Sequence, residues 1–182
     1  VSSTYNPGKG FVTKTNEVVV KEENHDVSII DAAVIILLDF SGSMSGNRIV
    51  QLKNTVRSFI DSNFNLSYSI VLYNNEIINF TEIDKGNIHN INAKQIIASN
   101  SPSGGTNFVK PLRLAIDQSN STNYESYYVI LISDGSPNEG IESSINFVNQ
   151  NINNINQINC LNTTRDSPCI TLYTLGVDNA DQ

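Results

Sequence analysis

The most continuous apolar run in the chain, Ala33 to Leu38, has no polar position on either face and breaks at once into Asp39. A strand that can bury both faces belongs in the middle of a parallel sheet. Downstream, Ile49, Leu52, Val56, Phe59 and Ile60 recur at steps of 3, 4, 3 and 1, the spacing of one apolar helix face. Ser69 to Tyr73 reads as a second strand, and Ile77 to Phe80 as a third beyond the turn-like Asn74-Asn75. Lys94 to Ala98 suggests a short helix. The breakers Ser101-Pro102-Ser103-Gly104-Gly105 come next, then a helix from about Phe108 to Gln118, with Pro111 in its first turn where a missing N–H costs little. Tyr127 to Ile132 is a second fully apolar strand and Ile170 to Leu175 a third buried one. Between them Ile141, Ile145, Val148, Ile152 and Ile155 keep helical register through an Asn-rich stretch. Strands alternating with helices predict an α/β fold, doubly wound, with a mostly parallel sheet flanked by helices on both faces.

Residues 1–30 do not share this pattern. Val18–Val20 and Val27–Ile30 are short β-like runs either side of a charged stretch, which suits an N-terminal extension carrying a hairpin or the edge of a removed neighbour. The main domain is expected over 31–182.

In an open parallel sheet, ligands sit beyond the carboxyl ends of the strands, where loops and helix N-termini converge. Three polar clusters fall there. Asp39-Phe40-Ser41-Gly42-Ser43 leaves the first strand, Gly104-Gly105-Thr106 precedes the Phe108 helix, and Ser133-Asp134-Gly135 leaves the second apolar strand. Two carboxylates and three hydroxyls suit a hard cation such as Mg2+, with water completing the octahedron. Each cluster alone is ordinary turn and capping chemistry; their order across a βαβ pattern is what points to a site.

The run Val34 to Met44, with Gly104-Gly105-Thr106 and Ser133-Asp134-Gly135, resembles the first strand and the metal-ion-dependent adhesion site of the von Willebrand factor A family. The resemblance covers about residues 31–177. It implies a Rossmann-like fold in which Asp39, Ser41 and Ser43 are core ligands of Mg2+ (or Mn2+ or Ca2+). Thr106 is implied as a direct or water-mediated ligand, and Asp134 as a partner mainly through water. It further implies that the ion receives an Asp or Glu carboxylate from a partner protein. The family's usual final strand and helix have no counterpart before Gln182, which puts helix-driven switching of affinity in doubt.

Composition narrows this picture. A formal charge of -7 without a Lys/Arg cluster disfavours nucleic acid as partner, and no apolar run approaches the length of a membrane-spanning helix. Val1 opens on a polar stretch with neither Met nor signal-peptide character, as expected of an excised or processed piece. Cys160 and Cys169 are the only cysteines. Joined, they would close a short loop in an oxidising compartment; the other reading is two unpaired, small apolar side chains. A disulfide favours an extracellular or cell-surface adhesion domain. Free thiols favour an intracellular scaffold of the copine-like, ubiquitin-ligase-associated or ATPase-partner kind, and the former is preferred. A Mg-dependent phosphoryl-transfer enzyme fits least. It would carry a second carboxylate where Ser41 stands, and there is no P-loop and no Gly-x-Ser-x-Gly elbow. His25 and His89, outside the motifs, read as solvated loop residues.

Overall fold

The computed structural model describes residues 31–63, 65–135, 137–138, 141–153 and 169–177. The expected strands at Val18–Val20 and Val27–Ile30, together with His25, Cys160 and the end of the last helix, lie outside these residues. So does one half of the Cys160–Cys169 pair.

Along the chain run β1 (Ala32–Asp39), α1 (Asn47–Ser62), β2 (Ser67–Tyr73), β3 (Ile77–Phe80), α2 (Asn87–Ser99), α3 (Val109–Ser121), β4 (Ser126–Ser133), α4 (Ile141–Val148) and β5 (Cys169–Gly176). The five strands form one sheet in the order β3-β2-β1-β4-β5. β1 pairs in parallel with β2 and β4, and β4 with β5, while β3 returns antiparallel to β2. The expected doubly wound, mostly parallel α/β sheet is therefore the fold.

Alternate residues of the central strands feed two cores. Ile36, Leu38, Ile70 and Leu72 meet α1 (Leu52, Val56, Ile60) and α2 (Ala93, Ile97) on one face. Ile35, Leu37, Val71 and Val129 meet α3 (Leu112, Ala115) on the other, with Phe147 of α4 packed alongside. Burying β1 from both sides is what its uninterrupted apolar run requires. The chain winds one way from β1 to β2 and the other way from β1 to β4, so the direction reverses between β1 and β4. That reversal opens a crevice at their carboxyl ends.

Three elements differ from expectation. The short Lys94–Ala98 helix is a full helix, α2, whose inward face carries His89 and Asn90 while Ile88 and Ile91 face solvent; that inversion hides its period. His89 is accordingly not a solvated loop residue. It is 7% exposed, its Nε2 lies 2.9 Å from the Tyr68 carbonyl, and burial pulls its pKa below the usual histidine value. The helix expected to run to Ile155 is α-helical only to Val148 and continues as a π-turn over Asn149–Asn153. The strand at Ile170–Leu175, expected to be buried, is β5 and has Tyr173 at 50% and Leu175 at 53% exposure, because β5 has only β4 beside it among the described residues.

Candidate metal centre

β1 and β4 run side by side with Leu38 opposite Ile132, so the loops that leave them start at the same height. The first loop turns sharply through a short 3-10 turn, Gly42–Met44, whose apolar Met44 is driven into the core. That anchor leaves Gly42 and Ser43 exposed above buried Asp39 and Ser41.

Asp39 is held on both oxygens by neutral donors. The Ser41 N–H reaches Oδ1 at 2.7 Å and the Ser133 hydroxyl reaches Oδ2 at 2.6 Å. Burial raises the Asp39 carboxyl above the ordinary carboxylate range. The hydrogen bonds from Ser133 and Ser41 work against that shift, and the charge of Asp134 adds to it. Tyr73 lies fully buried close by. Its phenol is pushed well above 10 by burial first and by the Asp39 charge second.

A chain of side-chain contacts runs outward from this carboxylate. The Ser41 and Ser43 hydroxyls are 3.0 Å apart, and the Ser43 hydroxyl donates to Asp134 Oδ1 at 2.8 Å. Asp134 Oδ2 accepts from Arg48 Nη1 at 2.7 Å, and the same nitrogen reaches the Ser43 carbonyl at 3.0 Å. Four of the five expected residues, Asp39, Ser41, Ser43 and Asp134, are thus brought together.

Thr106 comes from the neighbouring loop. It is buried, and its hydroxyl makes no hydrogen bond to the other four. Its backbone is pinned from both sides by Asn138, whose Oδ1 accepts the Thr106 N–H at 2.8 Å and whose N–H reaches the Thr106 carbonyl at 3.0 Å. The two loops are stitched by Gly42 N–H to Gly104 O at 2.9 Å and Ser103 N–H to Phe40 O at 2.8 Å. Gly104 sits at φ +73°, and a Cβ there would come within 2.5 Å of the Asn75 amide oxygen. At this positive φ a glycine lets the stitch form without backbone strain and without displacing the Asn74 and Asn75 side chains.

The donor set fits a hard cation. Among the described residues no group of three or more His, Cys, Asp or Glu side chains could hold a metal, so hydroxyl oxygens would have to supply the rest of a coordination sphere. Adjacent corners of an octahedron with arms of roughly 2.0 to 2.1 Å lie about 2.9 Å apart, and the Ser41–Ser43 spacing of 3.0 Å matches that edge.

The motif reading missed Arg48 and Asn138. Asn138 lies in a stretch with no pattern to mark it. Arg48 carried a signal, being a cation in the first turn of a helix with no acidic residue there, where the helix dipole disfavours positive charge.

A family model for the von Willebrand factor type A domain matches residues 34–136. No curated protein matches the chain. Among solved structures, the chain is similar to a von Willebrand factor type A protein from Catenulispora acidiphila. The identity is 19%, the TM-score 0.61, and the match covers 80% of this chain and 33% of that one. An aerotolerance-related membrane protein from Bacteroides fragilis gives 20% identity, TM-score 0.60 and coverage of 80% and 67%. Proximal thread matrix protein 1 from the mussel byssus gives 18%, 0.58, and 81% and 38%. The chain thus spans between a third and two-thirds of these structures, and at such identities what is shared is the fold.

Proposed function

The chain belongs to the von Willebrand factor type A family, and on that premise we propose that it is a divalent-cation-dependent protein-binding domain of the adhesion type. Domains of this family are in general interaction modules rather than enzymes. No helix among the described residues is long and apolar enough to cross a membrane.

Asp39 would hold the cation directly, together with the hydroxyl oxygens of Ser41 and Ser43. Thr106 would support it directly or through water, and Asp134 mainly through water. Mg2+ is the preferred ion for an all-oxygen set, with Mn2+ or Ca2+ as substitutes. Once bound, the ion would offer an electrophilic position to an anionic oxygen, best supplied by an Asp or Glu carboxylate of a partner protein.

The observation that carries the proposal is the hydroxyl–hydroxyl–carboxylate chain from Ser41 through Ser43 to Asp134 beside a buried Asp39. Ser43 donates its proton to Asp134 and so accepts from the Ser41 hydroxyl, which leaves one of its two lone pairs for a cation. Ser133 and the Ser41 N–H fix the Asp39 rotamer before anything binds, so little ordering entropy remains to be lost. The exposed rim at Gly42 and Ser43 leaves room for a partner to approach, and the loops around it must supply specificity, since the ion treats all carboxylates alike.

Calorimetric titration with MgCl2 and MnCl2 tests the proposal. EDTA-reversible binding is expected, absent in Asp39→Ala and weakened about fivefold in Thr106→Ala, the equivalent of one hydroxyl contact. No binding by the wild-type chain at millimolar cation overturns it.

A further inference from the structure

Arg48 is the one cation that touches the site among the described residues, and its placement works against the local backbone. It stands in the first turn of α1, where aligned N–H dipoles favour anions. Its Nη1 serves two atoms of the site, Asp134 Oδ2 and the Ser43 carbonyl, while its buried Nε has no hydrogen-bond partner. The Asp134 side chain is 4% exposed and that of Arg48 24%. The pair is therefore shielded enough for its charges to be felt nearby.

The charge count follows from these contacts. Two carboxylates and one guanidinium leave the site with a single negative charge, and a divalent ion would turn that into a single positive one. Without the guanidinium the loaded site would be neutral. Asp39 and Asp134 each accept a hydrogen bond on both oxygens, but the donors to Asp39 are all neutral, whereas Asp134 Oδ2 is bound to a guanidinium, so an ion coordinating Asp134 directly would have to compete with a positive charge already there.

We propose that Arg48 is a fixed counter-charge that trades cation affinity for anion affinity: it keeps Asp134 out of direct coordination and leaves the loaded site positively charged toward a partner's carboxylate. This rests on the metal-binding reading above and adds to it a residue that sets what the loaded site attracts. Arg48 is a positioning residue, since it acts on the ion through Asp134 and through its field.

The test compares the wild-type chain with Arg48→Gln, a shorter polar side chain that keeps an N–H donor but removes the charge, and with Arg48→Lys, which keeps the charge. Mg2+ affinity is read by calorimetry. The affinity of N-acetylglutamate, a small carboxylate probe, is read by its paramagnetic line broadening at saturating Mn2+. Arg48→Gln is expected to bind Mg2+ about tenfold more tightly, the effect of removing one nearby positive charge at near-aqueous screening, and the probe about threefold more weakly. Arg48→Lys is expected to stay close to wild type in both. A mere structural prop for Asp134 would give the opposite sign, with Mg2+ binding weakened in Arg48→Gln. Weakened or unchanged Mg2+ affinity in a Gln variant that retains the wild-type circular dichroism overturns the inference while leaving the metal-binding reading intact. Absence of Mg2+ binding by all three proteins at millimolar concentration overturns both readings.

Discussion

The loop that leaves β1 and the loop that leaves β4 each place a carboxylate at the top of the sheet, and the two are treated in opposite ways. Asp39 is fully buried and receives only neutral donors, a backbone N–H and a serine hydroxyl. Asp134 is paired with a guanidinium. One charge is thus held in place without being cancelled, and the other is cancelled by the protein itself. An uncompensated buried carboxylate costs stability, and a fold keeps such a cost where a ligand removes it. The contrast teaches which of two nearby acids is left in need of a cation.

The sharpest way to break this comparison is to neutralise each acid in turn. A carboxyl whose folded pKa is raised contributes stability that is complete below its unfolded value, about 3.9, and is lost as pH rises through the folded value. Ionised Asp39 is therefore a burden on the metal-free fold at neutral pH. Asp39→Asn is expected to abolish Mg2+ binding and yet raise the melting temperature in EDTA by about 2–4 °C. Asp134→Asn removes a charge-assisted hydrogen bond and strands Arg48, and should lower the EDTA melting temperature by roughly 5 °C. Thermal melts of the two variants showing shifts of the same sign would erase the distinction. A smaller effect comes from pH. Protons and cations compete for Asp39, so Mg2+ affinity should begin to fall, by up to about tenfold per unit, at a pH above the ordinary carboxylate range. Calorimetry between pH 4 and 8 (roughly the window set by ordinary carboxylate and neutral values) locates the onset. Smallest is Asn138→Ala, which frees the Thr106 backbone and should weaken Mg2+ binding about threefold with little change in fold. Measured affinity equal to wild type would show that Thr106 needs no such support.

Much of this was legible because the relevant signals are local. The Ala33–Leu38 run and the Ile49-to-Ile60 period announce elements whose burial follows directly from their own side chains. The polar cluster after each strand announces where Asp39, Ser41, Ser43 and Asp134 stand. α2 was not fully legible because its buried positions include His89 and Asn90, whose polarity is satisfied by the Tyr68 carbonyl and by the Tyr68 hydroxyl donating to Asn90 Oδ1. Hydropathy cannot anticipate partners on another element. β5 reads as buried from its apolar content, but cover is decided by what stands beside a strand. Arg48 meets Asp134 across 86 positions of sequence, a pairing that exists only through the sheet's register.

That same register has a consequence for folding. Leu38 lies opposite Ile132, so the two halves of the site, far apart along the chain, meet only when β1 and β4 have paired; an unfolded chain holds no partial version of it. A cation bound there would have almost no affinity for the denatured ensemble, and its whole binding energy would count toward the native state, about 2.7 kcal/mol at a hundredfold excess over Kd. The site would then serve as an indicator of completed assembly, responding to the ion only after the slow, long-range step of sheet formation is over.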